Sequence, residues 1–255
     1  MPSSAAQHGA AHAPIGVFDS GVGGLTVLRA LVAALPHEDF IYLGDTARLP
    51  YGTKSAASIR RYALQAAALL RERGVKCLVV ACNTASAVAL DALAAEFAPV
   101  PVLGVVEPGA AAACGATRTG RIAVIATEST VRGGAYQAAI RRCRPDAEVA
   151  ARACPLFVAL AEEGWTDGPV VEAVIHRYLD DLFADTVAPH PDTLVLGCTH
   201  FPVLAPAIRR VLGEGVSIVD SAETTAAALV GVLDQAGLRR TDVGATGSVR
   251  LLATD

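Results

Sequence analysis

Short apolar runs alternate with amphipathic segments along almost the whole of this chain, and that alternation restricts the folds open to it. Runs at residues 15–18, 40–43, 77–81, 102–105, 121–126, 147–151, 194–197 and 217–219 have the length and bulk of buried strands. Helical patterns fill the gaps at 25–34, 55–73, 85–97, 134–142, 169–183 and 202–212. Strands that recur with helices between them pair in parallel, because each connection is long enough to cross a face of the sheet. The expected class is therefore α/β with mainly parallel sheets. The stretch 248–252 reads as a further edge strand.

With 255 residues, 53% of them hydrophobic and 18% charged, the chain can bury one large or two small cores. Pro99-Val100-Pro101 and a turn around Glu107-Pro108-Gly109 mark a lobe boundary, and a second crossing near 216–221 returns the chain to the first lobe. The expected organisation is a disordered tail over 1–13, a first lobe over 14–105, a second over 106–218, and a returning segment over 219–255.

A net charge of −4 offers no basic surface for nucleic acid. Two uncharged apolar stretches, 77–90 and 193–208, fall short of the roughly 18 apolar residues that span a bilayer. The tail has no basic start or long apolar core, so it does not read as an export signal, and a cytoplasmic location is expected. The six cysteines include no C-x-x-C pair, which makes a buried structural thiol the default for each.

Two cysteines depart from that default. Cys82-Asn83-Thr84 closes the run Cys77-Leu78-Val79-Val80-Ala81, and Cys198-Thr199-His200 closes Leu194-Val195-Leu196-Gly197. Each stands where a buried strand ends and a helix begins, the position where open α/β sheets bind ligands. A helix N-terminus there should lower the thiol pKa. Cys82, Cys198 and His200 could instead ligate zinc, but the closely spaced ligand pairs usual for that metal are missing.

Asp19-Ser20-Gly21-Val22-Gly23-Gly24 follows the first strand. It fails the G-x-G-x-x-G fingerprint, because Thr26 stands at the third glycine position, and it lacks the P-loop ending. Asp19 or Ser20 could cap a helix, or the Asp19 carboxylate could orient an ammonium group. Asp45, Pro50 and Gly52 read as ordinary loop residues placed at the ligand-binding edge. Thr127-Glu128-Ser129-Thr130 follows the strand at 121–126 and suits either a helix cap or a carboxylate site. Glu162 and Glu163 read as a solvated pair of which one could reach a site, while His37, His176 and His190 read as surface residues.

Taken together, four motifs in order make the chain resemble the glutamate racemases of the cofactor-independent aspartate/glutamate racemase superfamily. They are Ile15-Gly16-Val17-Phe18-Asp19-Ser20-Gly21-Val22-Gly23-Gly24-Leu25, Gly44-Asp45-Thr46-Ala47-Arg48-Leu49-Pro50-Tyr51-Gly52, Ala81-Cys82-Asn83-Thr84-Ala85-Ser86 and Leu196-Gly197-Cys198-Thr199-His200-Phe201-Pro202. Weaker matches are Ala126-Thr127-Glu128-Ser129-Thr130-Val131 and Pro155-Leu156-Phe157-Val158. The match runs from about residue 14 to about 225 and leaves the tail outside.

The resemblance implies two pseudo-symmetric α/β lobes with the active site in a cleft between them. It implies an isomerase that interconverts L- and D-glutamate, without metal or cofactor, and supplies D-glutamate for peptidoglycan. Cys82 and Cys198 carry over as acid/bases on opposite faces of the substrate α-carbon, with Cys82 acting on D-glutamate and Cys198 on L-glutamate. Asp19 and His200 carry over as catalytic neighbours of the two thiols. Asp19, Ser20, Tyr51, Gly52, Asn83, Thr84, Thr127, Thr130, Thr199 and His200 carry over as substrate-binding positions, and one of Glu162 or Glu163 as an auxiliary acid/base. The partner implied is a small molecule, glutamate, with neither nucleic acid nor membrane; a homodimer is compatible with the resemblance.

The chemistry fits those residue types. Inversion needs a proton removed from one face and delivered to the other, and a thiol can hold either state near neutral pH. Of the two lysines, Lys54 starts a helix and Lys76 a strand, so neither reads as a buried Schiff-base lysine for pyridoxal phosphate. Alternatives within the superfamily are aspartate or hydantoin racemases. Outside it stand a non-catalytic amino-acid-binding protein and a nucleotide-dependent oxidoreductase.

Overall fold

The computed structural model describes residues 10–183, 189–242, 244 and 246–255. The chain divides into two compact units, one formed by 1–105 with 222–255 and the other by 106–221. The first sheet holds β1 (Ile15–Asp19), β2 (Phe40–Gly44), β3 (Cys77–Val80), β4 (Val102–Gly104) and β9 (Val249–Ala253) in the order β4-β3-β1-β2-β9. The second holds β5 (Arg121–Ala126), β6 (Glu148–Ala153), β7 (Thr193–Gly197) and β8 (Ser217–Asp220) in the order β6-β5-β7-β8. All of these strand pairs are parallel. Strands β1 to β4 and β5 to β8 thus repeat one order, second-first-third-fourth, so the two units share a topology.

Burial on both faces gives β1, β2 and β3 their continuous apolar character. Ile15 and Val17 of β1 pack with α1 (Leu25–Ala34) and with α10 (Ser221–Ala236) through Leu229 and Leu233. Phe18, Leu43 and Val80 point to the other face and pack with α2 (Ala56–Arg71) and α3 (Asn83–Phe97). One helix covers the step from β1 to β2, while two on the opposite face cover the steps to β3 and β4. That split follows from right-handed crossovers when the direction of winding reverses.

In the second unit α7 (Pro155–Glu162), α8 (Pro169–Phe183) and α9 (Ala205–Leu212) enclose a core of Ile125, Leu194, Leu196, Phe157 and Phe201. The opposite face is covered by α4 (Val106–Ala116), which packs on β7 and on α6 (Ala135–Cys143). The short helix α5 (Glu128–Gly133) follows β5 and ends on Gly134, whose φ of 69° is the left-handed conformation.

Several expectations need correction. The turn expected around Glu107-Pro108-Gly109 is the first turn of α4. Proline is tolerated there because amides in the first turn have no intrahelical acceptor. The first nine residues of the expected disordered tail lie outside the described residues. Residues 10–13 are held: Ala13 N donates to Ala10 O, Lys76 Nζ to Ala11 O (2.5 Å) and Arg240 Nη2 to His12 O (3.2 Å). The second crossing falls at Ser221/Ala222. Of the three histidines, His176 is exposed and pairs with Asp180, while His37 and His190 are half-buried.

Lys76 is buried, contrary to its reading as an unremarkable strand-start residue. Its ammonium lies 2.5 Å from Glu38 Oε2 with both side chains almost wholly out of solvent. Burial is the main influence on this lysine and lowers its pKa. The pair lies at the amino end of β3, the end remote from Cys82. Glu38 also accepts from Arg240 N (2.8 Å), so the carboxylate joins the returning segment to the sheet.

Breaking a buried ion pair by removing one partner strands the other charge. Lys76→Met is therefore expected to lower the unfolding free energy by about 3–5 kcal/mol in urea titration. A loss below about 1 kcal/mol, the size of an exposed pair, would show that Glu38 is not stranded.

Candidate functional site

In a parallel sheet every carboxyl end opens on the same edge, and ligands bind where the winding direction reverses. In the first unit that reversal falls between β1 and β3. Asp19 is the last residue of β1, and Cys82 stands two residues past β3. The backbone joins these ends directly, through Ala81 N to Phe18 O at 2.8 Å, and Asp45 N on Asp19 O at 2.9 Å adds the end of β2.

Cys82 itself caps α3: its Sγ accepts from Ala85 N at 3.4 Å. The cap on this helix is thus a sulfur, and Asn83 and Thr84 form the buried first turn. Ser20 Oγ lies 3.3 Å from the same sulfur.

The Cys82 pKa does not fall, as expected from its place at a helix N-terminus; it is pushed up to about 11. Burial is the largest cause and the Asp19 carboxylate adds to it, while hydrogen bonds from Ser20 and Ala85 pull the other way. A helix terminus contributes only partial charges, whereas desolvation acts on the whole thiolate charge. In this structure Cys82 is a neutral thiol at neutral pH.

The glycine-rich loop after β1 packs around the Asp19 carboxyl. Asp19 Oδ2 accepts from Gly21 N at 2.9 Å, and the Tyr42 hydroxyl donates to Gly21 O at 2.8 Å. A Cβ on Gly24 would stand 2.6 Å from Asp19 Cβ, and one on Gly44 only 2.3 Å from Gly21 O. Those glycines serve close approach of two loops rather than a phosphate. Burial, followed by the nearby Asp19 carboxylate, keeps the Tyr42 phenol protonated far above its usual range. Sequence reading missed Tyr42, although a tyrosine near the end of a buried strand needs a partner for its hydroxyl.

Beside Asp19, the loop after β2 carries Asp45, Tyr51 and Gly52, all buried. Asp45 is no ordinary loop residue: its carboxylate is fully buried and accepts from Tyr51 Oη at 2.5 Å. Asp19, Ser20, Cys82, Asn83, Thr84, Tyr51 and Gly52 therefore lie on adjacent loops at one edge of one sheet.

The second unit repeats the geometry with different groups. Its reversal falls between β5 and β7, where Thr127 and Cys198 follow the strand ends. Thr127 caps α5, and its Oγ1 lies 3.0 Å from Thr130 Oγ1. Cys198 Sγ lies 3.7 Å from His200 Nδ1, and His200 Nε2 lies 2.5 Å from Glu162 Oε1. Of the two adjacent carboxylates, Glu162 is the one that reaches a site residue. Thr199 is buried beside Cys198.

The remaining thiols differ. Burial pushes Cys77 and Cys154 up to about 12, as structural cysteines in a core. Among the described residues no group of three or more His, Cys, Asp or Glu side chains could hold a metal ion. No described helix is long and apolar enough to cross a membrane.

Known proteins match this arrangement closely. Residues 15–229 fit the family model for Asp/Glu/hydantoin racemases. A glutamate racemase of Geobacter metallireducens is 56% identical over 219 residues, covering 86% of this chain and 79% of its own length. The crystal structure of glutamate racemase from Thermus thermophilus in complex with β-chloro-D-alanine superposes with a TM-score of 0.84 at 48% identity. Its Francisella tularensis counterpart in complex with D-glutamate gives 0.88 at 38%. Both matches cover 96% of this chain and 89% of the other. With two units of one topology, a cysteine at each winding reversal and relatives of this closeness, the chain belongs to the Asp/Glu/hydantoin racemase family.

Proposed function

We propose that this protein is a glutamate racemase that inverts the α-carbon by a two-thiol mechanism, supplying D-glutamate for peptidoglycan. The observation that carries the reading is the unequal setting of two cysteines at equivalent strand ends. Cys82, beside an aspartate, holds its proton; Cys198 faces an imidazole able to accept one. A racemase needs one proton donor and one acceptor at the start of each turnover, with the states exchanged at its end. Glutamate as substrate is supported by relatives named for it at about 50% identity.

In this reading Cys198 removes the α-proton of L-glutamate while Cys82 delivers its own to the other face. In the reverse direction Cys82 is the base. The α-ammonium of the substrate brings positive charge to the Asp19 side of the site, which favours the Cys82 thiolate that D-glutamate needs. Glu162 holds His200 by one nitrogen and so presents the other to Cys198. Ser20, Asn83, Thr84, Thr127, Thr130 and Thr199, with Tyr51 and Gly52, bind the substrate. Donors among them meet the carboxylate, where charge builds up as the proton leaves.

The same reading covers location, a cytoplasmic enzyme, and is compatible with a homodimer. Neither a metal nor pyridoxal phosphate enters the proposed chemistry, and the one buried lysine, Lys76, is committed to Glu38.

Three outcomes test the proposal. In deuterated water, L-glutamate incubated with chelator-treated, pyridoxal-free protein should yield D-glutamate carrying α-deuterium, while unreacted L-glutamate stays unlabelled in early turnover. No inversion, or label appearing first in the L-form, would overturn the two-thiol reading. Replacing either cysteine in turn, Cys82→Ser or Cys198→Ser, should lower kcat about 10²–10⁴-fold, the range of a positioned acid or base.

The third outcome concerns pH. A thiol with pKa about 11 reacts through a thiolate fraction that rises about tenfold per pH unit below that value. Iodoacetamide modification of Cys82, read by peptide mass spectrometry without substrate, should therefore climb steadily from pH 7 to pH 10. A plateau below pH 9 would mean that the Cys82 thiol is not raised.

A further inference from the structure

The Asp45 carboxylate lies between two segments far apart in sequence. On one side Oδ2 accepts from Tyr51 Oη at 2.5 Å. On the other Oδ1 accepts from Thr254 Oγ1 at 2.8 Å. Thr254 follows β9, the strand that completes the first sheet beside β2 with Ala253 opposite Gly44. Its own amide continues that pairing, donating to Gly44 O at 3.0 Å. The rest of its contacts leave the ladder. Its Oγ1 also accepts from Ala47 N at 3.1 Å, and its carbonyl accepts from Thr46 Oγ1 at 2.5 Å. An edge strand needs only its backbone to pair, so these contacts hold something other than the sheet. They hold the loop 45–52.

Other contacts anchor that loop, Asp45 N on Asp19 O at 2.9 Å, Arg48 Nη1 on Gln65 Oε1 at 3.2 Å and the Arg48 guanidinium over the Tyr62 ring, but they supply no donor to Asp45 Oδ1. Thr46–Arg48 and Tyr51–Thr53 are single 3-10 turns with no side-chain cap at either start. The Tyr51 ring packs near Phe18 and Tyr62, with centroids 6.3 and 6.2 Å away, which limits its tilt but not its hydroxyl. A buried carboxylate requires donors, and Asp45 draws its two shortest from Tyr51 and Thr254, with Arg48 Nη1 at 3.6 Å. Remove the Thr254 hydroxyl and Oδ1 loses its donor. The carboxylate then gains by turning toward another donor, and Tyr51 must follow or lose its bond.

We propose that Thr254 is a positioning residue for the substrate loop, acting through Asp45 to hold Tyr51 and Gly52 in their binding conformation. This rests on the reading of Tyr51 and Gly52 as substrate-binding positions of a glutamate racemase. The segment beyond β9 is thereby part of the site's support although it touches no reacting atom. Its effect is expected on substrate binding, because Asp45 and Thr254 act on the loop after β2 that carries Tyr51 and Gly52.

The test uses the full chain with three changes, Thr254→Val, Thr254→Ser and Asp45→Asn. Thr254→Val keeps the shape and removes the hydroxyl. It should raise KM for glutamate about five- to tenfold while kcat stays within about twofold, the pattern of lost uniform binding. Amide hydrogen exchange over 46–53 should quicken in the same variant. Thr254→Ser keeps the donor and should restore both readouts; Asp45→Asn should reproduce the KM rise. Thr254→Val with a lowered Tm but unchanged KM and unchanged exchange over 46–53 would overturn the proposal, showing that Thr254 serves only the sheet edge. So would a loss confined to kcat. A wild-type protein that fails to racemise glutamate overturns the functional reading instead, and leaves the exchange comparison to judge the loop's support by itself.

Discussion

Parallel pairing is the constraint from which the rest of this structure follows. A strand paired in parallel with its predecessor needs a connection that climbs over one face of the sheet, and right-handed crossovers fix which face. When winding starts in one direction and then reverses, the helices divide between faces and leave a gap at the reversal. In each unit the reversal lies between the first and third strands. Asp19 and Cys82 end at it in one unit, Thr127 and Cys198 in the other. The chemistry is thus placed by strand order before any side chain contributes.

What the side chains contribute is charge control. Cys82 lies in a dry setting against a buried aspartate, and desolvation outweighs the helix terminus that the sulfur caps. The same burial that makes a thiolate costly makes the response to an arriving ammonium large, since a nearby charge acts more strongly when water is excluded. In the mechanism proposed above, such a thiol is protonated before substrate arrives and becomes basic beside its ammonium. Tyr42 and the close-packed glycines hold the loop folded around Asp19.

The strands were legible because buried parallel strands are written as uninterrupted apolar runs; the expected 121–126 matches β5 residue for residue. The candidate cysteines were legible for a related reason, since a polar triplet directly after such a run can only be a strand end. Helix α4 was hidden by Glu107-Pro108-Gly109, a turn signature that a helix's first turn also accepts. Asp45 was hidden because loop aspartates are common, and its importance depends on Thr254, more than 200 residues away. Glu162 could not be separated from Glu163 until the α7 axis showed which one faces His200. The Cys82 pKa was misjudged in sign because capping is a local property and burial is not. Contacts made between neighbours in sequence were readable; those made by the fold were not.

The repeated topology brings a final consequence. Two units of one strand order, each with a thiol at its reversal, could have kept equivalent chemistry, and here they have not. The position after the first strand holds an anion, Asp19, in one unit and a neutral hydroxyl, Thr127, in the other. The sulfur's neighbour is a serine in one and a histidine tied to a carboxylate in the other. Two thiols in identical settings would hold a single shared proton with equal chance, leaving neither fixed as the acid. Under the two-thiol mechanism proposed above, divergence around equivalent sulfurs, one beside a carboxylate and the other beside an imidazole, sets which thiol starts as the acid and which as the base.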